Sequence, residues 1–190
     1  MALFQASGSA MRVTETPIPG VLLLEPKVFG DARGFFLESY NERAMAEAGI
    51  RDHFVQDNHS FSARHVLRGL HYQVRCPQGK LVRTAVGEIF DVAVDLRRSS
   101  PAFGKWHGVT LSGENHKMLW VPPGLAHGFL VVSENAQVMY KATDFYAPEL
   151  ERTLAWNDPD LGIAWPFEGA PLVSPKDALG RLLRDAETFP

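Results

Sequence analysis

The stretch EIFDVAVDLR, residues 88–97, carries the alternation that decides the fold class. In an extended chain Phe90, Val92, Val94 and Leu96 point one way, and Ile89, Asp91, Ala93 and Asp95 point the other. A period of two in β-branched and aromatic residues is the pattern of a strand. It predicts one face of apolar core and a second face that forms a small cavity with two carboxylates, Asp91 and Asp95.

Outward from this stretch the same rhythm returns at intervals of about 8 to 12 residues. VLLLEP, FFLESY, FVQDNHSF, VLRGLHYQ and KLVRTAV precede it, and WHGVTLS, HKMLWVP, HGFLVVS and AQVMYKATDFY follow. Turn residues punctuate the runs at Gly30-Asp31, Pro77-Gln78-Gly79 and Pro122-Pro123-Gly124. Helical patterns are confined to NERAMAEAGI, with Asn41 as its N-cap, and DALGRLLRD near the end. There is no internal repeat, low-complexity stretch or domain boundary. The predicted architecture is therefore mainly β, an antiparallel sandwich or jelly roll with short helices at its margins.

A chain of 190 residues that is 45% hydrophobic can bury a substantial core, and a formal charge of −3 argues against a nucleic-acid partner. Cys76 is the single cysteine, which excludes an intramolecular disulfide. No run approaches the roughly 18 apolar residues of a membrane span, and MALFQASGSAM lacks the basic start and apolar core of a signal peptide. These features predict a cytoplasmic protein with no membrane partner. Residues 1–10 are small and polar-leaning and Met11 is a second candidate start, so 1–10 are read as a leader and 11–190 as a single domain.

One strand has unexpected cargo. RHVLRGLHYQ, residues 64–73, sets Arg64, His65, Arg68 and His71 among apolar residues. In a regular strand Arg68 and His71 face opposite ways, but a glycine between them marks a bulge or kink that would let both reach one cavity. Spacing alone favours a plainer account, in which His71 is a satisfied core histidine and Arg68 a rim ion pair.

Several segments carry a resemblance that changes this balance. PKVFGDARGFFLESY, FVQDNHS, VLRGLHYQ, GKLVRTAVGEIFDVAVDLR, SPAFGKW, LWVPPGLAHGF, YKATDFY, LAWNDPDLGIAWP and SPKD occur in the order found in the dTDP-4-dehydrorhamnose 3,5-epimerase family. The resemblance they carry spans nearly everything from Arg12 to about Leu183. The resemblance implies a cupin-type jelly roll without metal or organic cofactor, working as a homodimer with an exchanged N-terminal strand. It also implies a dTDP-linked 4-keto-6-deoxy sugar as substrate, inverted at C3 and C5.

Such chemistry needs a base, an acid and a stabiliser for the enolate. The resemblance assigns the base to His71, oriented by Asp177, the acid to Tyr140, and the cation beside the ketone oxygen to Lys80. His127 lines the same pocket. Arg33 and Arg68 would grip the pyrophosphate with planar forks. Phe36, Glu38, Gln56 and Asn58 would contact nucleoside and phosphates, with Phe145 or Tyr146 covering the ligand. Arg33, Phe36 and Glu38 would complete the partner's pocket.

Residue by residue, plainer roles compete. Asp177 completes an S-x-x-D capping box with Ser174, and Pro175 suits the first helical position. A strand tyrosine such as Tyr140 ordinarily packs its ring and finds one partner for its hydroxyl. Asp91 could support His71, Lys80 or a backbone group. Three other functions remain open: a single-centre epimerase, a silent nucleotide-sugar binding module and a metal-dependent cupin. For the last, PPGLAH fits one metal signature, but where the other wants H-x-H the second ligand position is Gln73. An unconventional metal site would draw on His59, His71, His107, His116 and His127.

Overall fold

The computed structural model describes residues 11–190, so the expected leader lies outside the described residues. In chain order the strands are β1 Met11–Glu15, β2 Leu22–Pro26, β3 Val28–Asp31, β4 Gly34–Leu37, β5 Gln56–Ala63, β6 Leu67–Gln73 and β7 Lys80–Val86. β8 Glu88–Asp95, β9 Trp106–Ser112, β10 Met118–Val121, β11 Leu125–Val131, β12 Asn135–Ala142 and β13 Glu151–Thr153 complete them. The α-helices are α1 Glu42–Glu47 and α2 Pro175–Ala178. The ten expected strands are present with shifted ends, and β1, β3 and β13 are additions.

Two antiparallel sheets form a sandwich, one in the order β1-β2-β10-β7-β12-β5 and the other β13-β6-β11-β8-β9. From β5 to β12 the strands alternate between the sheets except at β8 and β9, which pair within the second, and this is the double Greek-key order of a jelly roll. Val82, Leu119 and Val138 of the first sheet meet Ile89, Ala93, Leu111 and Phe129 of the second between the layers. α1 covers part of the first sheet's outer face, placing Met45 with Leu24, Leu81, Met118 and Trp120. As the sequence predicts, Asn41 caps this helix, its side chain accepting from Arg43 N at 3.0 Å and Ala44 N at 3.2 Å.

β8 departs from its expected character, because both of its faces are buried. Phe90, Val92, Val94 and Leu96 pack under Leu154, Leu161, Trp165 and Phe189, which the C-terminal third folds over the second sheet. Ile89 and Ala93 on the other face belong to the core between the sheets. Only Asp91 of the two carboxylates faces the site; Asp95 is held at a corner by Arg97, Nη2 to Oδ2 2.7 Å, and by the Ser100 hydroxyl at 2.6 Å. Alternation reports which residues share a face, but coverage of that face is a nonlocal matter.

The helix expected over 177–185 also gives way to tertiary contacts. α2 is one turn, because the chain beyond it pairs with the end of β13, Arg181 N donating to Thr153 O at 2.9 Å and Arg181 O accepting from Ala155 N at 2.8 Å. Gly180 permits that approach, since a Cβ there would lie 2.6 Å from Leu154 O.

Candidate active site

The site begins at a defect in β6. His71 is opposite His127 of β11, yet Arg68 is opposite Phe129, so three steps on β6 match two on β11. One extra residue on β6 reverses the alternation and brings Arg68 and His71 to the same face. The glycine in between permits it. Gly69 has φ +118°, and a Cβ on it would meet Gly128 Cα at 2.6 Å. Gly128 is equally constrained, since its own Cβ would lie 2.6 Å from Arg68 O. The sequence marks Gly69 as the bulge but says nothing of its counterpart.

His71 opens onto a cleft of about 390 Å³ whose lining includes Arg68, Leu172, Ser174, Lys176 and Asp177. Its Nε2 lies 2.5 Å from Asp177 Oδ1, although 106 residues separate the two in the chain. Asp177 is also the residue that α2 presents through its cap, its N–H donating to Ser174 Oγ at 3.1 Å. The two roles are divided between backbone and side chain: the amide makes the cap, and the carboxylate turns to His71 and to Gly69 N at 3.5 Å. Burial would raise the Asp177 pKa, but the His71 hydrogen bond and charge hold it below the usual carboxylate value. A charged carboxylate on one imidazole nitrogen leaves the other, Nδ1, to act on a ligand.

Lys80, at the start of β7, is buried with its Nζ 3.4 Å from His71 O and 5.9 Å from the centroid of the Tyr140 ring. Burial pulls its pKa down to about 8, against the opposing pull of Glu151 and Asp91. Tyr140 of β12 packs its ring against the core between the sheets, and its pKa is raised first by burial and then by Glu151, while Arg68 lowers it. Ring packing and an acidic hydroxyl are thus compatible at this position.

Sequence reasoning passed over Glu151. It stands opposite Gln73 in the β13–β6 register, accepts from Tyr146 Oη at 2.7 Å, and pairs with Lys176 Nζ. Burial raises its pKa, yet Lys176, Tyr146 and the charge of His71 keep it below the ordinary value. Among Lys80, Tyr140, Tyr146, Lys176 and His71, this carboxylate balances the cations of the site. Nothing in ELERTLAW distinguishes it, because β13 is too short to show a period.

Asp91 resolves differently from the support role considered for His71. Its Oδ1 lies 2.9 Å from His127 Nε2, both side chains buried, so the site holds two His–carboxylate pairs side by side across β6 and β11. The other histidines disperse: His59 bonds Gln137 Oε1 at 3.1 Å and His116 packs on Phe35, centroids 4.5 Å apart. Among the described residues no three His, Cys, Asp or Glu side chains converge as a ligand set.

The nucleotide-end residues divide into two groups. Arg68 Nε donates to Ser62 Oγ at 2.9 Å and, among the described residues, has no carboxylate partner. Gln56 Nε2 donates to Asn58 Oδ1 at 3.0 Å, which leaves Asn58 Nδ2 buried without a partner. Such a donor is costly unless a ligand fills it. Phe145 and Tyr146 are 65% and 50% exposed at the same end. Arg33, Phe36 and Glu38 are not brought to this cleft. Arg33 is at the tip of the β3–β4 hairpin, paired with Asp31, and Phe36 is 71% exposed beside a separate cleft lined by that hairpin.

Comparison with known proteins places these features in one lineage. The family model for dTDP-4-dehydrorhamnose 3,5-epimerase matches residues 15–185. A dTDP-4-dehydrorhamnose 3,5-epimerase of Pseudomonas aeruginosa is 61% identical over 181 residues, covering 95% of this chain and 100% of the relative. The crystal structure of a dTDP-6-deoxy-D-glucose-3,5-epimerase from Legionella pneumophila in complex with dTDP-4-keto-L-rhamnose superposes with a TM-score of 0.90 at 50% identity, covering 93% of this chain and 95% of that one. A 3′-monoepimerase from Streptomyces bikiniensis is more distant, at 32% identity and TM-score 0.84 over 90% of this chain and 86% of its own. With a family match across most of its length and relatives this similar, the chain belongs to the dTDP-4-dehydrorhamnose 3,5-epimerase family.

Proposed function

We propose that the protein epimerises a dTDP-linked 4-keto-6-deoxy-hexose at C3 and C5 through enolate intermediates, giving dTDP-4-dehydro-L-rhamnose. The observation that carries this reading is the position of Lys80, a buried cation within 3.4 Å of the His71 carbonyl and 5.9 Å of the Tyr140 ring. It lies near the residues that carry the proposed base and acid, which suits a cation meeting the charge of an enolate oxygen. The hydrogens at C3 and C5 are acidic because the C4 ketone accepts the electron pair released when either leaves. His71 takes the hydrogen and becomes imidazolium beside Asp177; Lys80 meets the oxyanion; Tyr140 returns a proton to the opposite face. Repetition at the second carbon completes the change.

Incubation with the 4-keto-6-deoxy-glucose nucleotide in deuterium oxide tests the proposal directly. Deuterium with inversion at both carbons is the expected result, and the 61% identity to a 3,5-epimerase favours it over the single-centre outcome. Inversion at one carbon would instead align the protein with the monoepimerase. No exchange at either would leave a binding module.

The ammonium of Lys80 makes a pH limb. With its pKa lowered to about 8 by burial, the cation is present below that value and lost above it. The rate constant kcat/KM, which reports the free protein, should fall about tenfold per unit above this point. A profile flat to pH 9.5 would show that Lys80 acts neutral or not at all.

At the nucleotide end, Arg68 without a carboxylate partner suits a pyrophosphate, and Asn58 Nδ2 suits a ligand oxygen. Arg68→Lys keeps the charge but loses the planar fork, so dTDP should bind about 1–3 kcal/mol more weakly by titration calorimetry. Unchanged affinity would return Arg68 to a structural rim role. The hairpin residues Arg33, Phe36 and Glu38 are proposed to serve the pocket of a second copy in a homodimer, which also accounts for the exposed Phe29, Phe35 and Phe36. A cytoplasmic setting, where nucleotide sugars are made, fits the lone exposed Cys76.

A further inference from the structure

Gln73 occupies the position where a metal-binding cupin would place the second histidine of H-x-H, two residues beyond His71 on the same face of β6. The side chain is 2% exposed, and its amide is fully engaged. Nε2 donates to Cys76 O at 3.0 Å and to Phe145 O at 3.2 Å, while Oε1 accepts from Ala147 N at 2.7 Å. Two carbonyls and one N–H leave a single orientation of the amide that satisfies all three. Two other glutamines grip the same segment: Gln56 Oε1 accepts from Tyr146 N at 2.9 Å, and Gln78 Nε2 donates to Asp144 O at 2.8 Å.

This segment, 144–147, belongs to neither sheet, and the Tyr146 ring is 50% exposed. Packing therefore does little to fix the ring, and the backbone grip must supply its position. Tyr146 nevertheless reaches Glu151 Oε2 with its hydroxyl at 2.7 Å, and Glu151 is the residue opposite Gln73 across β6 and β13. The Gln73 side chain thus joins the strand of the base to the segment that carries the covering tyrosine, with the central carboxylate opposite it in the register.

We infer that Gln73 is a positioning residue, a latch that holds Tyr146 over Glu151 in fixed register with His71. This rests on the epimerase reading for its catalytic consequence, but the latch itself is a matter of structure. A glutamine is needed because only an amide offers a donor to the carbonyls and an acceptor to the N–H. Methionine has a similar shape and would leave three backbone groups unpaired. Glutamate would keep the acceptor for Ala147 and set its second oxygen against two carbonyls.

The test compares wild type, Gln73→Met, Tyr146→Phe and the double variant, with amide hydrogen exchange read alongside turnover. In Gln73→Met the Ala147 amide should exchange faster while amides of β8 and β11 stay protected. The kcat should fall about 10- to 100-fold, the scale of a misplaced site group. Tyr146→Phe should then cost less in the Gln73→Met background than in wild type, because the hydroxyl has already lost its place. Wild-type kcat in Gln73→Met, or losses that simply multiply, would overturn the latch. If Gln73→Met does not fold, Gln73→Glu is the substitute: the Ala147 amide keeps its acceptor, but repulsion from the Cys76 and Phe145 carbonyls should still lower kcat and make Tyr146→Phe cost less, and wild-type kcat would overturn the latch. A wild-type protein that neither exchanges nor inverts the sugar would overturn the epimerase reading, and the Ala147 amide would still decide the latch.

Discussion

His71→Asn is expected to remove deuterium exchange at both carbons beside the ketone while dTDP still binds. Asparagine can keep a donor near Asp177 and fill much of the space, so the cleft and the bulge at Gly69 should persist. It cannot accept and release a proton near neutral pH. Loss of a positioned base accounts for about 10²- to 10⁴-fold, and the decline should be at least that, because the Asp177 carboxylate is buried and turned to position 71 and cannot replace it. Nuclear magnetic resonance of the sugar in deuterium oxide measures exchange at each carbon separately. Retention of near wild-type exchange at either one would assign that carbon to another base. The neighbouring pair, His127 with Asp91, is the first alternative, since it sits opposite His71 in the strand register.

Tyr140→Phe should separate two events that wild type performs together. The ring packs against the core between the sheets and remains; only the hydroxyl goes. His71 can still form the enolate and can hand a solvent-exchanged proton back to the face it came from. Deuterium should then enter with retention of configuration, while inversion falls by a further factor of about 10² to 10⁴. Burial and Glu151 hold the Tyr140 proton on at neutral pH, and the nearby charge of Arg68 makes it easier to release. Water can deliver a proton in its place, so the expected observation is a changed ratio of exchange to inversion. A parallel decline of both would mean that Tyr140 helps to form the enolate or hold the sugar, and the two-face mechanism would fail at this residue.

Several parts of the site are legible in the sequence. Gly69 between Arg68 and His71 signals the bulge, and S-x-x-D signals the cap at Asp177. Each signal is local, a matter of what one residue does to its own stretch of chain. The partners are not legible in that way. Gly128 across from Gly69, His127 across from His71, and Glu151 opposite Gln73 are all set by strand register. Register depends on which faces find cover, so Asp91 cannot be given to His71 or to His127 from its alternation alone.

The sequence by itself determined ten of the strands and the N-cap at Asn41, and its resemblance supplied the proposal of which residues serve as base, acid and cation. Those properties follow from side-chain period, capping chemistry and the order of motifs, which need no knowledge of distant contacts. Tertiary structure alone decided three things. It buried both faces of β8, by folding Leu154, Leu161, Trp165 and Phe189 over one of them. It cut the expected C-terminal helix to a single turn, because Arg181 gains two backbone hydrogen bonds with the end of β13. And it carried the Asp177 carboxylate across 106 residues to His71, where a buried charge must have a partner and the main compensation comes from another part of the chain.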